Sequence, residues 1–214
     1  MNDFPHDIYT EPEPSVDTLA NLGPLRALAG VWEGGTGQDV NPKADGPEHE
    51  AFIERIELQP IDAQTNGPQL LYGLRYHTRI VKPGEVEAFH DQVGYWLWEP
   101  AARMVLHTLA IPRGQVALAA GRVEPDATEF EVNAALGAEG YGILSNPFLD
   151  LAFRTEAFRI RVTAHDDDTW SYEEHTVLRV PGRAELVDHV DRNTLRRIGA
   201  PTPNPLALVT RPDA

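Results

Sequence analysis

The stretch LLYGLRYHTRI, residues 70–80, decides the fold because its side chains alternate between apolar and polar with a period of two. Such alternation is typical of a β-strand that buries one face and exposes the other. One face carries Leu70, Tyr72, Leu74, Tyr76, Thr78 and Ile80, and the other carries Arg75, His77 and Arg79. A turn at KPGE, residues 82–85, leads into a second strand, 87–98, which ends in the sequence YWLW.

Strand-like segments separated by turn signals continue in both directions, from Val31 to about Ile198. Beyond residue 98 the predicted strands are 103–111, 115–123, 128–136, 153–164, 170–180 and 185–198. About ten strands with short turns and almost no helix predict an all-β protein. A closed antiparallel up-and-down barrel is favoured because closure removes exposed strand edges. A barrel of somewhat more than eight strands keeps room for one small ligand.

The chain outside this barrel divides into an N-terminal arm, 1–27, and a C-terminal tail, 199–214. The arm is polar, and the sequence LGPLRALA at 22–29 suits a short helix with Pro24 in its first turn. The tail contains four prolines, so we expect it to be extended. We therefore predict one barrel domain over residues 28–198. The roles of the arm and of the irregular segment 141–150 stay open.

Composition excludes several classes of partner and site. A formal net charge of −15 makes nucleic acid and anionic membranes poor partners, since phosphate binding needs clustered Lys and Arg. The absence of cysteine excludes disulfides, thiolate metal sites and cysteine catalysis, and it suits a reducing cytoplasm. No secretory signal and no long apolar run is present, so we expect a cytoplasmic protein. The oligomeric state stays open, with a homodimer among the alternatives.

Three segments carry a resemblance to a known family. GVWEGGTG at 30–37 resembles the G-x-W-x-G-x-G opening of the nitrobindin family, with Thr36 where the pattern has its third glycine. FHDQVGYW at 89–96 is similar to the family's central hairpins. WSYEE at 170–174, together with DHVDRNTL at 188–195, resembles its last hairpin. The resemblance spans about residues 28–198 and implies a lipocalin-like or fatty-acid-binding-protein-like barrel, close to the longer bacterial branch of the family.

The resemblance also implies a cofactor and an activity. In the family a histidine on the closing strand is the axial ligand of haem b, and His189 matches it here. The implied chemistry is nitric oxide binding and isomerisation of peroxynitrite to nitrate. Only the isomerisation is a catalysed reaction, so whether the chain is an enzyme stays open. Trp32, Thr36 and His107 are further candidate haem contacts. For Trp32 a structural role, closing one end of the barrel, is the simpler interpretation.

The eight histidines differ in their strand phase. His6, His49, His165 and His175 are expected to be solvated, and His77 and His90 to lie on the outer surface beside polar neighbours. His107 is in phase with apolar residues, so it either faces a ligand as a distal group or is a satisfied core histidine. His189 shares a face with Val187, Asp191, Asn193 and Leu195. That face is either a haem site or a buried polar cluster that only closes the barrel.

A second hypothesis is a non-enzymatic carrier for a fatty acid or another hydrophobic small molecule. Such a pocket is apolar and holds one or two polar groups that orient the ligand. Arg75 with Tyr76, Arg154 and Arg159 are the candidate partners for a ligand carboxylate. No hydrolase, P-loop or dinucleotide-binding motif is found.

Overall fold

A computed structural model describes residues 7–43 and 46–210. Over these residues the chain is almost entirely β-structure. The strands are β1 (Gly30–Lys43), β2 (Gly46–Pro60), β3 (Gln64–Asn66), β4 (Gln69–Val81), β5 (Ala88–Glu99), β6 (Met104–Ile111), β7 (Gln115–Arg122), β8 (Glu129–Leu136), β9 (Gly142–Ser145), β10 (Arg154–Ala164), β11 (Thr169–Arg179) and β12 (Val187–Gly199). The helices are α1 (Pro147–Ala152), α2 (Pro205–Thr210) and two 3₁₀ segments, Leu19–Asn21 and Gly23–Leu28.

The strands close into a barrel. Each long strand pairs antiparallel with the next, and β1 pairs with both β2 and β12, so the first and last strands join. The short β9 is inserted between β7 and β8, parallel to β8, and β3 pairs with β4 alone. All strands except β3 therefore form the ring. The predicted all-β, closed and mainly antiparallel barrel of about ten strands is confirmed.

One end of the barrel is closed by the helical segment before β1. Leu22, Leu25 and Leu28 are fully buried there against the core. Trp32 is also buried, and its Nε1 donates to the carbonyl oxygen of Leu28 at 2.8 Å. Its indole packs edge-on against Trp170, with ring centroids 6.2 Å apart. Trp32 is thus part of the closed end, as the sequence predicted.

A β-bulge in β1 explains the displaced glycine of the opening motif. Gly34 pairs with Glu54 but Gly37 pairs with Phe52, so β1 contains one residue more than β2 between these pairs. Gly35 and Thr36 both face outward, whereas Gly37 is buried. A Cβ at Gly37 would lie 2.2 Å from the Phe52 ring, which leaves space for glycine only. Beyond the bulge, the inward positions of β1 change from even to odd numbers.

The arm and the tail meet at the closed end. The Thr18 hydroxyl donates to the carbonyl oxygen of Ile61 at 2.6 Å. The Asn204 side chain donates to the carbonyl oxygen of Val16 at 2.9 Å and to the Asp62 carboxylate at 2.7 Å. The tail then forms α2, so the prediction of an extended tail is wrong from residue 205 to residue 210. Apolar LALV follows Pro205, and proline is well suited to the first helical position.

The segment 141–150, which the sequence left irregular, consists of β9 and the start of α1. Asn146 caps α1, since its Oδ1 accepts from the backbone nitrogens of Phe148 and Leu149 at 2.8 and 3.1 Å. None of the helices in the described part of the chain has the length and hydrophobicity that a membrane span requires.

Candidate functional site

A cavity of about 140 Å³ lies inside the barrel, beyond the layer that contains Trp32. Its wall has an apolar part and an acidic part. The apolar part includes Phe52, Ile56, Trp96, Ile160 and Trp170. The acidic part includes Asp39, Glu54, Glu174 and Asp191, with His189 among them. The cavity therefore combines an aromatic wall with four carboxyl groups, among which the imidazole of His189 lies.

His189 is held by two carboxylates on the joined strands β1 and β12. Its Nε2 donates to Oδ1 of Asp39 at 2.7 Å and lies 3.4 Å from Oδ2 of Asp191. Asp39 is 4 % exposed, whereas the His189 side chain is 24 % exposed. Asp39 and Asp191 are register partners across the ladder, and Asn41 donates to the second oxygen of Asp39. Asp39 therefore holds His189 on its buried side, while part of the His189 side chain stays accessible to solvent.

Burial shapes the charge of this cluster. Burial raises the pKa of Glu174 to about 8, and the neighbouring Asp191 charge raises it as well. Burial also raises the pKa of Glu54 to about 7, although Asn193 and Tyr172 donate hydrogen bonds to its carboxylate at 3.1 and 2.9 Å. For His189, burial lowers the pKa, but the hydrogen bond with Asp39 and the nearby carboxylate charges outweigh burial and raise it.

His107 belongs to a buried aromatic group in the cavity wall. It is 1 % exposed and stacks on Trp96, with ring centroids 3.8 Å apart and planes 7° apart. Its Nε2 lies 2.9 Å from the Tyr76 hydroxyl, and burial lowers the pKa of His107 to about 3, so the imidazole is neutral. Its Nδ1 has no hydrogen-bond partner among the described residues. His107 thus faces inward, and its packing is that of a core histidine on the border of the cavity.

Two other predicted contacts do not reach this cavity. Trp32 lies in the closed end and does not line the cavity wall. Thr36, the other predicted haem contact, is exposed on the outer face of the barrel and does not line this cavity. The cause is the β1 bulge, which turns both Gly35 and Thr36 outward. The same shift turns Asp39 inward, where a regular strand would bury Gln38.

His90 is a cavity residue that sequence reasoning placed wrongly. It lines the cavity, and its Nε2 lies 3.3 Å from Oε1 of Gln92, whose amide donates to Tyr76 at 2.7 Å. Its polar neighbour Gln92 suggested the outer surface, yet Gln92 itself is buried. The phase of the strand gave the correct signal, because His90 and Gln92 are spaced at multiples of two from the buried Trp96.

The remaining histidines lie outside the cavity. His77, His49 and His165 are exposed, as predicted. His175 lies on the outer face of β11, but it is only partly solvated because its ring nitrogens contact Asp188 at 2.8 Å and Glu173 at 3.0 Å. His6 lies outside the described residues.

The cations proposed for a fatty-acid carboxylate do not line the interior. Arg75, Arg154 and Arg159 are all exposed. Arg154 pairs instead with Asp150, with 3.2 Å between Nε and Oδ1. Within the described ranges the guanidinium that borders the cavity is that of Arg113, at its rim, where it donates to the carbonyl oxygen of Phe89 at 3.1 Å.

The half-buried Glu174 makes the stability of the barrel depend on pH. Its folded-state pKa of about 8 exceeds the ordinary value of 4.5, so the folded protein holds a proton that the unfolded chain releases between these values. This contribution to stability is complete below about pH 4.5 and is lost as the pH rises through about 8. We expect Glu174→Gln to stabilise the protein, without added ligand, at about pH 8.5 by on the order of 1–3 kcal/mol. The substitution should have little effect at about pH 5.

Urea unfolding of both proteins at the two pH values measures this difference. The matched control is Glu57→Gln, which changes an exposed carboxylate on the outer face of β2 and should leave the pH dependence intact. An unchanged pH dependence in Glu174→Gln would contradict the assignment.

Comparison with known proteins agrees with this geometry. The crystal structure of Rv2717c from M. tuberculosis superposes with a TM-score of 0.54 and 23 % sequence identity, over 84 % of this chain and 96 % of that one. At this identity the likeness shows the fold alone. A search of curated proteins gives no match. The family model described as "THAP4-like, heme-binding beta-barrel domain" matches residues 21–197. The chain therefore belongs to the haem-binding β-barrel family, the family of the nitrobindins.

Proposed function

We propose that this barrel binds haem b at the end opposite Trp32, with His189 as the iron ligand. The observation that carries the proposal is the position of His189, which faces inward on the closing strand and is still partly exposed. Family membership supports the same cofactor. The residue type is suitable, because haem iron accepts a neutral imidazole nitrogen.

The residues around His189 fit such a ligand. A metal-bound histidine commonly donates its other ring N–H to a carboxylate, which fixes the tautomer and the ring orientation. Asp39 accepts such a hydrogen bond from one nitrogen of His189, and among the described residues the second nitrogen makes none. The cavity of about 140 Å³ is smaller than a pocket for a drug-sized molecule, about 300–1,000 Å³. The porphyrin would therefore lie at the open end, where Arg113 could pair with a propionate.

The protein's own residues orient His189, hold its proton and exclude water. When bound, ferric haem supplies a Lewis acid that can bind nitric oxide and promote isomerisation of peroxynitrite to nitrate. Asp39 keeps the His189 ring oriented and accepts its N–H. The aromatic wall around Trp96 limits water below the open end. No general base is needed for this reaction, which agrees with a sequence that lacks hydrolase motifs.

The acidic interior favours haem over a fatty acid. A fatty-acid carboxylate in the interior would meet the carboxyl groups of Asp39, Asp191 and Glu174 rather than a guanidinium, and a buried charge without a partner is costly. Arg75, Arg154 and Arg159 are on the outer surface, and Arg113 lies at the rim of the cavity. The haem propionates could stay at the rim of the cavity, and the iron would face the carboxyl groups of the interior.

Replacing His189 with alanine should abolish axial coordination but not all haem uptake. Hydrophobic contacts of the porphyrin would remain, so binding should persist with a shifted Soret band and faster haem loss. Hemin titration, followed by transfer of haem to an acceptor protein, measures both quantities. The matched control is His175→Ala, which removes an outer-face histidine from the neighbouring strand and should leave the spectrum unchanged. Identical spectra and dissociation rates in wild type and His189→Ala would disprove ligation by His189.

The catalytic part of the proposal has its own test. The ferric haem-loaded protein should accelerate peroxynitrite decay in stopped-flow experiments and raise the yield of nitrate. His189→Ala loaded with haem should be slower, by at least about tenfold, because outer partners of a metal centre already contribute 10–100-fold and a direct ligand contributes more. A decay rate equal to that of free hemin would contradict an isomerase role and leave haem binding to be judged by its spectrum.

A further inference from the structure

We propose that Asp39, His189 and Asp191 form a binding site for a single divalent transition-metal ion that needs no porphyrin. The proposal is independent of haem binding by the loaded protein. It rests on the geometry of the three ligand atoms and on unsatisfied polar groups in the same cavity.

The three side chains are spaced like ligands of one ion. Nε2 of His189 lies 2.7 Å from Oδ1 of Asp39 and 3.4 Å from Oδ2 of Asp191. One ligand atom from each residue lies within 4.8 Å of the other two. Two ligands at about 2.1 Å from an ion, separated by about 90–110°, lie about 3.0–3.4 Å apart. An ion can therefore enter between these atoms with shifts of a few tenths of an ångström.

Glu174 adds a further carboxyl group beside these three residues. It is the register partner of Asp191 on β11, and it lines the same cavity. Among the described residues its carboxyl group makes no hydrogen bond, although Glu54 nearby receives hydrogen bonds from Tyr172 and Asn193. Glu174 is half-buried, so its carboxyl group stands at the cavity wall without a partner in the described part of the chain. A dication beside Asp191 would supply the missing partner.

Two further polar atoms indicate that the cavity takes a polar occupant. Nε1 of Trp170 and Nδ1 of His107 are buried and have no partner among the described residues. Both residues border the cavity, and Trp170 is only 3 % exposed. Water molecules that complete the coordination of an ion could bond to such groups, since buried water bridges otherwise unsatisfied polar atoms.

The ligand set selects the class of metal. One imidazole with carboxylates suits Zn²⁺, Fe²⁺, Co²⁺ or Mn²⁺, whereas Mg²⁺ and Ca²⁺ prefer ligand sets made only of oxygen. His189 would serve both the ion and haem iron. The ion also needs the Asp39 carboxylate, which accepts a hydrogen bond from the His189 N–H in the haem-bound arrangement proposed above. We therefore infer that the ion and haem exclude each other.

The test is a titration of chelator-treated, haem-free protein with Co²⁺, followed by its visible ligand-field bands and by calorimetry. We expect one equivalent to bind, and Zn²⁺ to displace it. Asp191→Asn and Asp39→Asn should each weaken binding by at least about tenfold. No saturable binding, or equal affinity in wild type and both variants, would overturn the site. Mg²⁺ binding as tight as Zn²⁺ binding would overturn the proposed metal class.

The matched control is Asp188→Asn, which removes the adjacent carboxylate on the outer face of β12 and should leave Co²⁺ binding unchanged. Circular dichroism establishes that each variant folds, and two independent variants guard against misfolding of one.

Hemin titration of the same preparations separates the two hypotheses. Co²⁺ binding without hemin uptake supports the metal site and contradicts the haem proposal, and hemin uptake without Co²⁺ binding does the reverse. Zn²⁺ should slow hemin uptake, and simultaneous binding of both would overturn mutual exclusion.

Discussion

The hydrogen bond between Nε2 of His189 and the Asp39 carboxylate, 2.7 Å long, is the interaction on which the site depends. It joins the first and last long strands inside the barrel, so it can form only when the ring is closed. It also requires the β1 bulge, because without the extra residue Asp39 would face solvent. One local irregularity in the first strand therefore sets the environment of a histidine 150 residues further along the chain.

The barrel separates an apolar end from an acidic end. Around Trp32 the interior is filled by apolar side chains, and the cap of Leu22, Leu25 and Leu28 buries hydrophobic area that offsets unfavourable interactions elsewhere. Around His189 the interior holds carboxyl groups whose raised pKa values report the cost of their burial. Such groups persist where they have a role, and perturbed pKa values cluster at functional sites. A cation at this end, as haem iron or as a free ion, would relieve that cost.

The fold could be predicted because period-two alternation is a local property of segments such as 70–80. The inward phase of His189 was equally accessible from its own strand. Asp39 was not, since the bulge that turns it inward depends on pairing with β2, although the displaced glycine at Thr36 marked the position. His90, Glu54 and Glu174 were missed for another reason. Their polarity suggested the surface, and only the closed geometry shows that a ligand cavity lies on their inner side.

The central claim is that His189, oriented by Asp39, is the ligand of a cation at the open end of the barrel. A crystal structure of the hemin-loaded protein tests it most directly. We predict an iron–nitrogen bond to His189, with the other ring nitrogen donating to the Asp39 carboxylate. Iron bound to another side chain, or a porphyrin located away from the open end with His189 still between Asp39 and Asp191, would contradict it.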